Sequence, residues 1–330
     1  MKRREIVNIA ILVLVVVIAV YRYKVQSYSE TRSRFMMDTL VELSFTARQK
    51  NIPAIMDSTI SLIEHYEQKF SYYHPGGELW QINESSHEKV EIDADFFELL
   101  KLAAIFYEET KGSYDVTIGT LSELWDTERN YPPPADSIRS ALAHTDFSEV
   151  LVRQNYIIRP VGMKINLGSI AKGYIIDKAV EYAQSEGIQS GYINAGGDIR
   201  LFGYQGKEQR IGIQHPRDIN DVIAVLSLSD TAIVTSGDYE RYFDYDGRRY
   251  HHIINALTGY PVEGVYSVTI LAPNATLADI LSTAVFLLPP EEGINLLKAY
   301  PGTEGIIYFL DDEEIVSLRT EGIRDYLVRD

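Results

Sequence analysis

The sequence predicts an α+β domain built mainly from antiparallel sheet and packed helices. Several long segments carry apolar residues at helical spacing, which is typical of amphipathic helices. Shorter runs rich in β-branched residues are typical of strands. Because helices and strands mix without a strict β-α-β alternation, the pattern favours α+β over a parallel doubly wound sheet.

Four segments are predicted to be helices, each with its own stop signal or apolar period. Apolar residues recur every three or four positions from Ile52 to Phe70 and again from Phe96 to Tyr107. Glycine follows the second and third of these helices, as it commonly follows a helix C-terminus, and two prolines follow the fourth. The predicted helices cover residues 52–70, 96–107, 170–185 and 277–288.

The predicted strands are short and are separated by turn-rich sequence. Residues 39–45 alternate in polarity with a period of two, which predicts a strand with one buried face. No Pro-, Gly- or Ser-rich linker divides the chain after Phe35, so residues 35–330 are predicted to form one domain. Further strands are predicted at residues 192–194, 222–228, 266–271, 305–310 and 314–318.

The N-terminus predicts a membrane anchor helix. Basic residues at positions 2–4 precede an apolar stretch from Ile6 to Val20. Fifteen helical residues span roughly 22 Å, short of a ~30 Å hydrocarbon core, but flanking Tyr and basic side chains extend that length. A cleaved signal peptide is the alternative interpretation. We therefore expect a transmembrane anchor or signal segment at 1–24 and a polar linker at 25–34. The body is expected on the periplasmic side of the cytoplasmic (inner) membrane.

Composition excludes several classes of protein. The chain has 330 residues and a formal net charge of −16, which argues against nucleic-acid binding because duplex binders need a basic face. It contains no cysteine, so disulfides, thiol catalysis and zinc-thiolate or iron–sulfur sites are excluded.

The segment around Asp279 offers oxygen ligands to a hard cation. On a helix, Asp279 and Thr283 lie one turn apart on the same face, with Ser282 beside them. Carboxylate and hydroxyl oxygens suit Mg²⁺ better than zinc. The alternative is structural, with the carboxylate favoured by the helix dipole and the hydroxyls bonded to backbone carbonyls.

Two further segments carry charge or glycine next to a predicted element. Residues 168–173 place Gly, Ser and Lys172 at a helix start, which indicates an anion site or a simple turn with an exposed lysine. Residues 194–200 place paired glycines after a strand, which allows close backbone approach to a ligand or forms an ordinary turn. Neither has the spacing of a P-loop or of a dinucleotide fingerprint.

The adjacent histidines His251 and His252 predict at most one side chain in any shared site. Neighbouring residues on a strand point to opposite faces, so a two-histidine metal centre is not expected. One imidazole is a candidate general base, and a hydrogen-bonded structural histidine is the alternative. The aromatic and acidic residues at 70–73 and 112–117 suit the stacking and hydrogen bonding of a flat heterocycle, or are ordinary core and loop.

Taken in order, these segments resemble the ApbE-type FAD:protein FMN transferases from about Met37 to Leu288. The early matches are the sequences MDT, SYY, EL, IN and YDVT. The more specific ones are GSIAKGYIID, NAGGDIR, SGDY, HIINALTG and ADILSTA. The matching segments are residues 37–39, 71–73, 78–79, 82–83, 114–117, 168–177, 194–200, 236–239, 252–259 with Pro261, and 278–284.

The resemblance implies a T-fold-like α+β architecture, with Mg²⁺ as the metal and FAD as the substrate. It implies transfer of the FMN moiety to a Ser or Thr hydroxyl of an acceptor flavoprotein subunit, with release of AMP. His252 is then the catalytic histidine, and Mg²⁺ is held by Asp279 and Thr283, with Ser282 nearby and the Ser169 carbonyl as a backbone ligand. The residues it places around FAD are Met37, Tyr73, Ser113, Tyr114, Asp115, Asn166, Lys172 and Ile254.

Three positions depart from the pattern of the family. The family usually has Asp at the position of Asn166, Gly at that of Ser169, and Asp-Pro at residues 255–256. Two other functions remain open from the sequence. One is a pyrophosphatase that splits FAD into FMN and AMP with water as the acceptor. The other is a membrane-tethered FAD-binding protein without activity.

Overall fold

The structure is a computed structural model that describes residues 26–48, 51–312 and 314–329, together with residues 4, 8 and 11–16. Its helices are α1 (Ile52–Phe70), α2 (Glu78–Glu84), α3 (Ala94–Glu109), α4 (Gly119–Leu124), α5 (Ala135–Leu142), α6 (Ala171–Ser185), α7 (Ala275–Phe286) and α8 (Pro290–Leu297). Its strands are β1 (Tyr28–Met36), β2 (Thr39–Ala47), β3 (Lys89–Glu91), β4 (Leu151–Arg153), β5 (Tyr156–Ile158), β6 (Ser190–Ala195), β7 (Asp198–Phe202), β8 (Gln209–His215), β9 (Asp218–Leu228), β10 (Ala232–Gly237), β11 (Tyr242–Tyr245), β12 (Arg248–His251), β13 (Ile254–Asn255), β14 (Tyr260–Pro261), β15 (Val265–Ala272), β16 (Glu304–Asp311), β17 (Glu314–Arg319) and β18 (Leu327–Arg329).

An eight-stranded sheet organises the domain, in the order β1-β2-β6-β7-β10-β15-β16-β17. Every neighbouring pair in it is antiparallel. The prediction of a mixed fold with mainly antiparallel sheet is therefore confirmed.

Helices cover one face of this sheet, where the main core lies. Alternate β2 residues such as Leu43 and Phe45 point into that core and are fully buried, together with Met56 of α1 and Ile280 of α7. This arrangement follows from the period of two along β2 and the 3.6-residue period of the helices. It brings α6 and α7 alongside each other beneath the sheet.

A smaller three-stranded sheet, β18-β9-β8, covers the other face over the second half of the large sheet. Leu226 and Ile213 of the small sheet pack with Leu201, Ile233 and Tyr308 of the large one in a separate buried cluster. The outer face near β1 and β2 carries exposed side chains instead, including Phe35 and Leu40.

The predicted helices and strands are confirmed, with bounds that shift by a few residues. The structure differs from the prediction at the N-terminal side of the domain, where residues 28–34 of the expected polar linker lie in β1. The strand lacks an apolar stripe because it is an edge strand. Its inner-face residues Arg32 and Arg34 form ion pairs with Asp57 and Glu64 of α1 instead of entering the core.

The predicted anchor at residues 1–24 falls largely on residues outside the described part of the chain. Residues 11–16 are helical, and their side chains are exposed. Among the described residues, no helix combines the length and the hydropathy of a membrane span.

Candidate active site

Two tight hairpin turns meet at one end of the large sheet. Met37 and Asp38 link β1 to β2 with φ of 53° and 58°, and Gly196 and Gly197 link β6 to β7 with φ of 65° and 104°. Two-residue hairpin loops of this kind need positive φ at both central positions. A Cβ atom at Gly196 would lie 2.3 Å from Oγ1 of Thr39, so the close approach of the two turns requires glycine there. The paired glycines thus form a tight turn, the alternative named for residues 194–200, and close approach of a ligand to this turn stays a prediction.

Beside these turns, half-buried Lys172 forms an ion pair with buried Asp198. Nζ of Lys172, in the first turn of α6, lies 2.6 Å from Oδ2 of Asp198, the first residue of β7. Burial would lower the pKa of Lys172, but the Asp198 and Asp279 carboxylates outweigh that effect and raise it. The ammonium is therefore charged at any physiological pH, and a protein carboxylate already holds it in place.

Asp279 lies on α7 where this helix touches the start of α6. Its Oδ2 accepts a hydrogen bond of 2.8 Å from the backbone N–H of Gly173. A Cβ atom at Gly173 would be 2.3 Å from the Ala275 carbonyl oxygen, so only glycine lets the helices approach this closely. Burial, and then the neighbouring Asp198 carboxylate, raise the pKa of Asp279 to about 7.

The bond from Gly173 to Asp279 leaves a backbone carbonyl just before α6 without its usual helical donor. In a regular helix the Gly173 N–H would donate to the carbonyl four residues earlier, which belongs to Ser169. That carbonyl accepts no backbone bond from another described residue. The hydroxyl of Thr283 is half-buried and makes no hydrogen bond within the described part of the chain. The second carboxylate oxygen of Asp279 is likewise without a hydrogen-bond donor there.

These three oxygens fit the donor set predicted for Mg²⁺. Carboxylate, hydroxyl and carbonyl are the hard ligands that Mg²⁺ takes, and it usually completes its shell with water and substrate phosphates. Among the described residues, no group of three or more His, Asp or Glu side chains could hold a metal ion. The predicted Mg²⁺ site contains only one carboxylate, that of Asp279, so the lack of a larger group of these side chains does not contradict it.

Ser282 is held by protein atoms. Its hydroxyl donates to the Asp279 carbonyl at 2.8 Å and lies 2.7 Å from the hydroxyl of Ser236 on β10. It is fully buried. Its observed role is to tie α7 to the sheet next to Asp279.

His252 lies close enough to Lys172 for the lysine charge to affect its pKa. Its Nδ1 is 3.3 Å from the carbonyl oxygen of Arg241. Because a carbonyl oxygen only accepts, this contact requires the proton on Nδ1 and leaves the Nε2 lone pair free. Burial, and then the Arg241 charge, lower the pKa of His252 well below its ordinary value, and Lys172 adds to the effect. The ring is neutral at physiological pH and can accept a proton at Nε2.

His251 has the opposite tautomer and a structural role. Its Nε2 lies 2.7 Å from the Val262 carbonyl, to which it donates, and its Nδ1 accepts the Ile253 N–H at 3.2 Å. The ring is buried and packs edge-on against Phe286, the last residue of α7. The expectation that only one of the adjacent histidines is available to a shared site agrees with this arrangement.

Replacement of His251 by phenylalanine is expected to lower the free energy of unfolding by about 2–4 kcal/mol. The Val262 carbonyl and the Ile253 N–H would both lose their buried partner. Urea unfolding followed by circular dichroism measures the loss. The matched control is His252→Asn, for which we expect less than about 1 kcal/mol because that half-buried ring makes only one long contact. Equal losses in the two variants would contradict this assignment.

The residues predicted around FAD other than Lys172 divide into two groups. Tyr73 is 70% exposed and lines a cavity of about 150 Å³ with Tyr72, Trp80 and Lys164, so its ring is available to a ligand. Met37 is half-buried in the hairpin turn, and its N–H donates to Glu67 of α1 at 2.8 Å.

The second group is engaged within the protein. Both Asp115 carboxylate oxygens are taken, by the N–H and hydroxyl of Thr117 and by the N–H of Phe147, at 2.6, 2.7 and 2.9 Å. Tyr114 is buried, and its hydroxyl lies 2.9 Å from the Ser169 hydroxyl. The remaining members are buried or internally bonded.

Those remaining members are Ser113, Asn166 and Ile254. The Ser113 carbonyl accepts the Ala256 N–H at 3.2 Å. The Asn166 side chain accepts the Gly168 N–H at 2.9 Å, and Ile254 packs in a small cluster with Trp125. The Asn166 contact shapes the loop that leads into Ser169.

Three charged residues of the site were not predicted from the sequence to have a role. Asp198 pairs with Lys172, Arg241 holds His252, and Glu240 is close enough to Lys172, Asp198 and Asp279 to affect their electrostatics. Glu240 is exposed at the rim, yet partial desolvation and Asp198 raise the pKa of its carboxyl. The only signal in the sequence was their position relative to the segments that resemble the family. Asp198 lies inside one such segment, and Glu240 and Arg241 come directly after another.

Curated relatives match most of the chain. A protein of Treponema pallidum (strain Nichols) is 31% identical over 315 residues, covering 88% of this chain and 86% of its own length. A protein of Klebsiella pneumoniae (strain 342) is 30% identical over 272 residues, covering 80% and 85%. Each is named FAD:protein FMN transferase.

Solved structures match over a similar extent. The ApbE protein of Thermotoga maritima superposes with a TM-score of 0.82 at 36% identity and covers 91% of this chain and 99% of its own. The flavin transferase ApbE of Vibrio cholerae superposes with a TM-score of 0.81 at 26% identity and covers 92% and 100%.

The fold and the site, read with these relatives, define an enzyme of the transferase class. The model of the ApbE family matches residues 37–307. The chain belongs to the ApbE family, and the resemblance inferred from the sequence is confirmed.

Proposed function

We propose that this chain is an Mg²⁺-dependent FAD:protein FMN transferase that attaches FMN through a phosphoester bond to a Ser or Thr of an acceptor protein and releases AMP. The observation that carries the proposal is the set of oxygens left open between α6 and α7: the Asp279 carboxylate, the Thr283 hydroxyl and the Ser169 carbonyl. The Asp279 charge acts on the charged Lys172, and the Lys172 charge in turn acts on the neutral His252. A pyrophosphate-splitting transfer needs this combination of cation site, ammonium and base.

The proposed metal ligands are Asp279, Thr283 and the Ser169 carbonyl. When bound, Mg²⁺ supplies charge neutralisation on the diphosphate. Lys172 adds its own positive charge, and Asp198 keeps the ammonium oriented. The Gly173 N–H orients the Asp279 carboxylate.

In the proposed reaction the acceptor hydroxyl attacks the phosphorus of the FMN half of FAD. A bond forms between that oxygen and phosphorus, and the bond from phosphorus to the bridging oxygen of the AMP half breaks. The hydroxyl proton passes to Nε2 of His252, because a free hydroxyl is a poor nucleophile at neutral pH. AMP leaves with the bridging oxygen. Tyr73, exposed at the cavity rim, stacks on a flat ring of FAD.

The assay uses the full-length chain in detergent with FAD, Mg²⁺ and an acceptor redox subunit that carries a Ser or Thr flavinylation site. We expect equal amounts of AMP and flavin-labelled acceptor, measured by chromatography and by the intact mass of the acceptor. Without Mg²⁺ both products should disappear, and Ca²⁺ should replace Mg²⁺ poorly because it prefers more ligands.

Two results would overturn the proposal. Release of AMP and FMN at the same rate with and without acceptor would identify a pyrophosphatase. Bound FAD without AMP in either reaction would identify a flavin-binding protein without transferase activity.

The site of action is part of the same proposal. The basic residues at 2–4 and the apolar stretch that follows support an anchor at residues 1–24 in the cytoplasmic (inner) membrane, with the domain on the periplasmic side. Acceptors are then redox subunits exposed on that side. Protease added to intact spheroplasts should digest the domain, and carbonate washing should leave the chain in the membrane. Protection from protease, or release by carbonate, would contradict this placement.

A further inference from the structure

The first strand of the large sheet has an unpaired edge. β1 pairs with β2 along all nine residues, in continuous register from Tyr28–Ala47 to Met36–Thr39. It stands at the end of the strand order, and no other described strand pairs with it. A sheet edge presents a row of backbone donors and acceptors that a further strand can bind.

The hairpin turn determines which groups form this row. In a two-residue hairpin the residues that flank the loop, here Met36 and Thr39, exchange hydrogen bonds, and hydrogen-bonded pairs then alternate along the strands. Residues at the intervening positions direct their N–H and C=O groups away from β2. They are Ser29, Thr31, Ser33 and Phe35. None of these four backbone amides bonds to another described element.

β1 lacks three of the devices that commonly block a sheet edge, since it contains no proline, no lysine and no bulge. Its two arginines fold back onto α1, where they pair with Asp57 and Glu64. Phe35 is 72% exposed and lies opposite Leu40, which is 59% exposed, so an apolar pair adjoins the free edge.

The edge leads directly to the candidate active site. β1 ends at the Met37–Asp38 turn, which touches the Gly196–Gly197 turn through Thr39. Asp198, which follows that second turn, holds Lys172. Asp38 is close enough to Tyr73 to affect the electrostatics of its hydroxyl. A chain that runs along β1 therefore arrives beside the residues proposed to bind FAD.

We propose that the acceptor protein docks on this edge, with an extended segment adding as a further strand beside β1. Backbone groups of the segment pair with Ser29, Thr31, Ser33 and Phe35, and one of its apolar side chains packs on the Phe35–Leu40 pair. The Ser or Thr to be modified lies just past the end of β1, at the turn. The inference rests on the proposed transfer to a protein hydroxyl, since a free edge that ends at the site suits a polypeptide substrate.

The test variant is Ser33→Pro, with Ser33→Ala as its control. Proline removes one outward N–H without removing a hydrogen bond between β1 and β2, and edge strands tolerate it. Both variants lose the 3.3 Å bond from the Ser33 hydroxyl to Glu42, so only the edge donor and the backbone constraint differ. Phe35→Ser tests the apolar contact separately and leaves the backbone edge intact.

We expect Ser33→Pro to raise the KM for the acceptor by about tenfold and to leave FAD affinity within about twofold of wild type. Ser33→Ala should match wild type in both. Phe35→Ser should raise the acceptor KM alone. FAD affinity is measured by the quenching of flavin fluorescence, and the acceptor KM by the rate of FMN transfer.

The outcomes separate this inference from the proposed function. If wild type transfers FMN and a folded Ser33→Pro variant has the wild-type acceptor KM, the docking edge is wrong while the function stands. If wild type transfers nothing to any acceptor, the proposed function fails. A concentration-dependent dimer that Ser33→Pro abolishes, at unchanged acceptor KM, would assign the edge to a second copy of this chain and overturn the inference. If Ser33→Pro does not fold, the acceptor KM of Phe35→Ser decides.

Discussion

His252→Asn is expected to lower the rate of FMN transfer by about 10²–10⁴-fold, the usual contribution of a general base. The Arg241 carbonyl fixes the proton on Nδ1 of His252, so Nε2 is the atom that receives the proton of the acceptor hydroxyl. Asparagine retains a donor for that carbonyl and removes the base. FAD affinity should change by less than about threefold, because the residue acts on the hydroxyl and not on the flavin.

Single-turnover transfer with prebound FAD isolates this step. His144→Asn, at an exposed histidine, is the control for losing an imidazole.

The pH dependence of the transfer rate gives a second test of the role of His252. Burial lowers the pKa of His252 well below its ordinary value, so this ring stays neutral from pH 8 down past 6.5 and produces no acid limb in that range. A wild-type rate that falls with an apparent pKa near 6.5 and loses this dependence in His252→Asn would contradict the assignment of a depressed pKa.

Asp279→Asn is expected to have two opposite effects, the first of which is loss of activity. Asparagine is of similar size and still accepts the Gly173 N–H, but it removes the only carboxylate among the proposed metal ligands. Transfer should fall by about a hundredfold or more, and excess Mg²⁺ should restore little of it. Wild-type affinity for Mg²⁺ in the variant, measured by calorimetry, would show that the metal binds elsewhere.

The second effect is a gain in stability of the metal-free protein at alkaline pH. Burial and the Asp198 carboxylate raise the pKa of Asp279 to about 7, so the folded state binds this proton more tightly than the unfolded chain does. The resulting stabilisation is complete below the unfolded pKa and is lost as the pH rises through about 7. For one carboxyl the loss between pH 5 and pH 8 is on the order of 3 kcal/mol.

Urea unfolding in the presence of a chelator measures this effect. Asp279→Asn should be more stable than wild type at pH 8, and the difference should shrink towards pH 5. Asp177→Asn is the contrasting control. The Asp177 carboxylate caps α7 by accepting the N–H groups of Ala275 and Thr276, so its replacement should destabilise at both pH values. Destabilisation of Asp279→Asn at pH 8 would mean that the negative charge of this carboxyl is favourable in the folded protein.

Local sequence signals predicted much of the fold and part of the site. The 3.6-residue period predicted α1 and placed Asp279 and Thr283 one turn apart, and both lie in α7 as expected. Strand alternation predicted that only one of His251 and His252 could serve a shared site. It failed at β1, because the inner face of this edge strand carries arginines that form ion pairs with α1 in place of an apolar stripe.

The sequence by itself determined the secondary-structure types, the antiparallel class of the fold, the membership of the ApbE family and the chemical nature of the candidate ligands. These follow from residue chemistry and from periods of two or 3.6 residues, which are properties of neighbours along the chain. The tertiary structure alone decided which polar groups are open to a ligand. Asp115 and Asp279 are both buried carboxylates, yet the backbone amides of Thr117 and Phe147 occupy the first, while the second keeps one oxygen free. The difference between the two carboxylates depends on desolvation and on hydrogen-bond donors that lie up to a hundred or so residues away along the chain. A local sequence pattern cannot encode either of these.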